Sequence, residues 1–108
     1  MKRYRVYLSP LASFKLDRLL EYLQTEWGND TKNAFLEKLK FKVEIIAEYP
    51  HSFQESDVMK GLFRCVITPQ TSIYYRIVKE SVEIITVIDN RQDPQEITKE
   101  IKKYFNLE

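Results

Sequence analysis

The sequence is poor in the residues that most often announce a reaction. It has one cysteine, Cys65, one histidine, His51, and two glycines, Gly28 and Gly61, in 108 residues. A single cysteine excludes an internal disulfide. Its setting, LFRCVI, is apolar and suits a small buried hydrophobe better than a nucleophile. No Cys/His set has metal spacing, so no metal or other cofactor is expected. Two glycines leave no glycine-rich phosphate loop. His51 follows Pro50 in a polar stretch without the motif context of a catalytic base, which makes a surface histidine the simpler reading. An excess of one charge is also missing: 17 basic and 16 acidic residues give a formal net charge of +1. Any contact with nucleic acid must therefore come from a local patch. No apolar run approaches the length of a membrane span, and MKRYRVYLSP lacks the apolar stretch of a secretory leader. A cytoplasmic protein with no membrane partner is expected.

What is present suits one folded domain over residues 1–108. The chain is 44% hydrophobic and 31% charged, enough to bury a modest core and unlike a disordered segment. RYRVYL alternates, with Tyr4, Val6 and Leu8 on one side, and reads as a first strand with one buried face. Ser9-Pro10 is a helix start, with Ser9 as N-cap and Pro10 in the first turn. Ala12, Leu16, Leu19, Leu20, Leu23 and Trp27 recur at helical spacing until Gly28, a natural stop. A second helix starts at residues 29–31 and carries Phe35, Leu39, Val43 and Ile46 as its stripe, with Pro50 beyond its end. So short a connection implies an antiparallel helical hairpin. After a polar loop, residues 62–67, 72–78 and 82–89 read as three strands joined by the turns TPQT and KES, an antiparallel meander. The last of them, VEIITVI, is almost continuously apolar, as a strand buried on both faces would be. Asp93-Pro94 then caps a short helix whose inner face is Ile97, Ile101, Tyr104 and Phe105. The expected fold is α+β, an antiparallel sheet packed on an N-terminal helical hairpin, in the order β-α-α-β-β-β-α.

The last strand ends abruptly in a polar knot, DNRQDP, with Arg91 between two aspartates. Loops at strand ends are where function tends to sit. The plain structural reading is a solvated turn in which Arg91 pairs with a carboxylate. Alternation along the strands places Arg64, Tyr74 and Arg76 on the sheet face away from the hairpin, with Arg91 just beyond. Arginines interleaved with tyrosine suit phosphate or carboxylate contacts and stacking. The competing reading is a solvated sheet face with cross-strand pairs, Glu83 being the candidate partner.

In order and spacing, VYLSPLA, WGND, YP, KGLFR, IYYRI and VIDNRQDP resemble the RelE/ParE superfamily of bacterial type II toxins over nearly the whole chain. The R-x-D ending, Arg91 and Asp93, is similar to the ParE branch. That branch implies inhibition of DNA gyrase without hydrolysis, with Arg91, Asp93, Tyr74 and Arg76 as target-binding residues. The RelE branch implies ribosome-dependent cleavage of mRNA, with Arg64, Arg76 and Arg91 as catalytic groups. The resemblance puts Val66 and Ser72 where RelE-type toxins carry two further basic groups, a departure that favours the ParE branch. A third possibility is a toxin fold that survives only as a binding module. Both toxin branches imply a cognate antitoxin, partly disordered until it folds over the outer face of the hairpin or the sheet edges.

Overall fold

The computed structural model describes residues 3–107. Strand β1 (Arg5–Leu8) leads into helix α1 (Pro10–Trp27) and helix α2 (Asn29–Glu48). A single 3-10 turn, Pro50–Ser52, precedes the two-residue strand β2 (Gln54–Glu55). Strands β3 (Leu62–Thr68), β4 (Thr71–Val78) and β5 (Ser81–Asp89) follow, and helix α3 (Pro94–Tyr104) ends the fold.

Local chemistry sets the helix boundaries where the sequence placed them. The Ser9 hydroxyl accepts from the Ala12 N–H at 3.0 Å, and Pro10 occupies the first turn of α1. Gly28 alone separates α1 from α2. Its φ of +92° is one that L side chains rarely adopt, although a Cβ there would meet nothing within 4 Å. Glycine is needed there for its backbone freedom rather than its size. Asp93 caps α3 by accepting from the Gln95 N–H at 2.9 Å.

The sheet has the order β1-β5-β4-β3-β2. β2 through β5 are antiparallel, as expected for a meander, but β1 joins β5 in parallel, so the sheet is mixed. The reason is geometric: the whole hairpin intervenes between β1 and the meander, and such a crossover suits a parallel neighbour. β2, which the sequence did not suggest, extends the far edge by two residues.

Two apolar layers cover the two faces. Ala12, Phe35 and Ile46 of the hairpin pack on Cys65, Ile73, Tyr75 and Val82. On the opposite face, Ile97 and Ile101 of α3 cover Leu62, Tyr74, Ile85 and Ile88. β5 is therefore buried from Val82 to Ile88, which accounts for its almost continuous apolar run, interrupted only by Glu83 and Thr86. The ladder between β4 and β5 shifts at Tyr75↔Ile84 and Tyr74↔Thr86, leaving Ile85 as an extra, bulged residue. Its carbonyl accepts from the Ser9 hydroxyl at 2.7 Å. Lys15 of α1 and Glu100 of α3 meet at 2.9 Å, and Glu100 also accepts from the Thr86 hydroxyl. These bonds tie the layers to one another.

Candidate functional site

The face away from the hairpin is where the sequence gathers its arginines, and α3 covers much of it. This follows from β5. Ile85 and Ile88 point to that side, and leaving them exposed would cost about 1.5–3 kcal/mol each in lost burial. The amphipathic α3 supplies the cover. Tyr74 consequently lies beneath it at 7% exposure, so its ring is not spread on an open surface.

Arg76 sits directly across the ladder from Glu83. Its Nε donates to Glu83 Oε1 at 2.7 Å, which is the cross-strand pair read from the sequence. The other Glu83 oxygen accepts from the Tyr104 hydroxyl at 2.9 Å, and the Arg76 guanidinium lies over the Phe105 ring at 5.1 Å. Burial first, and then the hydrogen bond to Glu83, pushes the Tyr104 pKa up. This cluster fastens the C-terminal end of α3 to the sheet.

Arg64 has a different environment. It faces Tyr74 across the β3–β4 ladder and is half-buried. Its Nη2 donates to Asn90 Oδ1 at 3.1 Å, and the Asn90 amide donates onward to the Pro69 carbonyl at 3.2 Å. The arginine is thus held by a neutral amide anchored in the β3–β4 turn. Arg64 and Tyr74 line a cleft of about 520 Å³ between the residue 54–58 segment, the sheet and α3. Burial is the main cause of a raised Tyr74 pKa, with Arg64 opposing it, so the hydroxyl stays a proton donor.

Arg91 stands apart from both. Neighbouring residues at the strand end diverge: Asn90 turns to Arg64, while Arg91 folds back on Asp89. Its Nε and Nη2 reach the two Asp89 oxygens at 3.0 and 2.9 Å, and its backbone N–H donates to Oδ1 as well. The side-chain hydrogen bond to Arg91 is the chief reason the Asp89 pKa is lowered. The plain reading of the knot, a solvated turn with a paired arginine, describes this geometry. Arg91 lines a second groove, of about 690 Å³, with Tyr22 and Trp27 of α1, Lys38 of α2 and Asp89. Asp93 is exposed and occupied in capping α3. The structure therefore brings Arg64 and Tyr74 together, pins Arg76 elsewhere on the same face, and places Arg91 and Asp93 past the strand end.

Of the two positions where the resemblance suggested missing basic groups, Val66 is exposed and Ser72 is fully buried. The Ser72 hydroxyl has no hydrogen-bond partner among the described residues. His51 packs edge-on against Phe63, a residue of the hairpin-side core. No group of three or more His, Cys, Asp or Glu among the described residues could hold a metal. No helix among them is long and apolar enough to cross a membrane. Sequence reasoning overlooked Asn90 as the holder of Arg64, and overlooked Thr98 and Lys102, one turn apart on α3, as walls of the cleft. Their spacing of four was the available signal, since it marks one helical face.

The hairpin presents large apolar side chains to solvent. Phe14, Tyr22, Trp27 and Phe41 are each more than half exposed, Trp27 at 66%. Three of them stand on α1 and one on α2, and Tyr22 and Trp27 border the same groove as Arg91.

Comparison with known proteins places these features in a family. Residues 6–94 match the model of the ParE toxin of the type II toxin-antitoxin system parDE. The chain is 32% identical over 88 residues to Toxin ParE1 of Caulobacter vibrioides, covering 82% of this chain and 88% of that protein. Its fold is similar to a chain of the chromosomal ParDE system from P. aeruginosa, with a TM-score of 0.68 at 10% identity, covering 81% and 96% of the two chains. A chain of the RelBE2 toxin-antitoxin complex from Mycobacterium tuberculosis gives a TM-score of 0.54 at 18% identity, covering 82% and 99%.

Proposed function

Because the chain belongs to the ParE toxin family of type II toxin–antitoxin systems, we propose that it inhibits DNA gyrase and is silenced by a cognate antitoxin. The observation that carries the reading is the cover that α3 lays over the sheet. A messenger strand threading that face would need it open, and Arg64, Arg76 and Arg91 would need to converge on one phosphate. Arg76 is instead bound to Glu83 under Phe105, and Arg91 is bound to Asp89 beyond the strand end. Inhibition by binding asks for none of that convergence. It asks for a presented surface, and Arg91, exposed at the mouth of the second groove, is the residue we assign to target contact.

The antitoxin reading draws on the hairpin. Trp27, Tyr22 and Phe41 offer apolar anchors of the kind that dominate protein interfaces. An antitoxin segment that folds on binding would cover them. A chain of the E. coli DinJ-YafQ toxin-antitoxin complex shares the fold, which supports an assembly of the same kind here.

The deciding experiment is induction of the chain in a bacterium lacking the antitoxin, with DNA and protein synthesis followed in parallel by pulse-labelling. An early fall in DNA synthesis supports gyrase as the target. An early fall in protein synthesis replaces it with ribosome-dependent cleavage. No change in either, with the protein folded and abundant, identifies a binding module.

A further inference from the structure

The cleft between the sheet and α3 holds two donors that the fold leaves unfilled. Arg3, Arg76 and Arg91 each pair with a carboxylate. Arg64, half-buried, pairs with none among the described residues, and only the neutral Asn90 amide holds it. A partly buried guanidinium without a counter-ion costs free energy that an anionic ligand would recover. Beside it, Tyr74 lines the same cleft, and its hydroxyl, unbonded to any described residue, is open to the cleft rather than sealed in the core. Across the cleft, Lys102 of α3 carries no ion pair among the described residues, and Thr98 stands one turn before it.

We propose that this cleft binds a small phosphomonoester of about nucleoside-monophosphate size, gripped through its phosphate by Arg64, Tyr74 and Lys102. Donors arriving from β3, β4 and α3 suit a tetrahedral group better than a planar carboxylate, which one arginine satisfies by itself. Two cations match a phosphate dianion. Val58, Pro94 and Ile97 give apolar wall for a ring, and about 520 Å³ lies within the usual range for small-ligand sites. Two acids stand on the rim. The Glu55 carboxylate is occupied by the Gly61 N–H at 2.6 Å. Asp57, exposed, is close enough for its charge to act on Tyr74, so it opposes the anion there and leaves Arg64 and Lys102 to outweigh it. The family match ends at Pro94, so Thr98 and Lys102 lie outside it, and the site stands whether or not gyrase is the target.

The test is a titration of the isotope-labelled chain with the four nucleoside 5′-monophosphates, inorganic phosphate and adenosine, read by amide NMR shifts. At least one monophosphate gives saturable shifts at Arg64, Tyr74, Thr98 and Lys102. Inorganic phosphate moves the same amides more weakly, and adenosine does not. R64Q and K102Q each weaken the binding about tenfold or more, as loss of a charge-assisted hydrogen bond does. Lys102 lies exposed on α3, so K102Q reports even if R64Q disturbs the cleft. Absence of saturable shifts at millimolar monophosphate overturns the site, as does adenosine matching the nucleotides. Inorganic phosphate binding as tightly as they do overturns the size assigned to the ligand.

Discussion

The Ser9 hydroxyl and the Ile85 carbonyl, 76 residues apart in sequence, meet at 2.7 Å. The bond settles two local problems at once. Ile85 is the extra residue of a bulge, so the ladder leaves its carbonyl unpaired. Ser9 is also the N-cap of α1, accepting from the Ala12 N–H. Ser9→Ala therefore removes a cap and strands a buried acceptor. A loss of roughly 2–4 kcal/mol is expected, from about 1 for the cap and 1–3 for the carbonyl. Denaturant unfolding measures it, and a loss below about 0.5 kcal/mol would mean the bulge finds another donor.

Glu83 is the buried acid that holds α3, accepting from both Arg76 and Tyr104. In Glu83→Gln the ion pair is gone but the shape is kept, and α3 is expected to open more often. Hydrogen exchange at the amides of residues 97–104 should rise before exchange in β4 does. Unchanged protection there would show that Ile97 and Ile101 hold the helix alone.

Arg91→Ala is expected to abolish growth arrest while leaving the melting temperature within a degree or so of the parent, since surface changes away from packing are usually worth less than about 0.5 kcal/mol. Arrest is scored after induction without antitoxin, with expression checked by blot. Full arrest at equal expression would remove Arg91 from the target surface.

Burial sets the alkaline limit. Cys65 is pushed from 9.0 to about 11, chiefly by desolvation with Lys42 opposing, and burial raises Tyr74 and Tyr75 as well. These groups are neutral when protonated. Above pH about 9 the unfolded chain gives up protons that the folded chain retains, so stability is full below that pH and declines toward pH 11. Urea midpoints across that window check it, and Cys65→Ala should flatten the early part of the decline. Native Cys65 should also resist a thiol reagent at neutral pH. Rapid labelling of the folded protein would contradict its burial.

Trp27→Ala should weaken antitoxin binding by tenfold or more, the behaviour of a central aromatic anchor worth about 2 kcal/mol. Calorimetry with the purified antitoxin reads the affinity. An unaltered affinity would move the interface off the hairpin tip.

Boundaries were legible because their chemistry is local. Ser9-Pro10, Gly28 and Asp93-Pro94 each act within a turn of themselves, and each stands where it was read. The pairing of Arg76 with Glu83 was also legible, since a two-residue turn between β4 and β5 fixes their register. The parallel docking of β1 was not, because its partner lies some seventy residues away and no local pattern records it. Tyr74 shows the middle case. The apolar run of β5 announced that both sheet faces are covered, and Ile97 and Ile101 announced the cover. Only their joint placement reveals that the cover extends over Tyr74 and turns a surface residue into the floor of a cleft.

The parallel pairing of β1 with β5 bears on when this protein can become active. β1 begins at Arg5, and the strand it needs, β5, ends only at Asp89. Until then β1 has no partner, and the Ser9 hydroxyl has no bulge to meet. Long-range pairing of this kind is slow to form, because the loop must close before its contacts repay the closure. The hairpin can form from local contacts, whereas the complete sheet waits for β5. In a toxin built this way the hairpin, the face we assign to the antitoxin, can take shape before the strand end that carries Arg91 is in place.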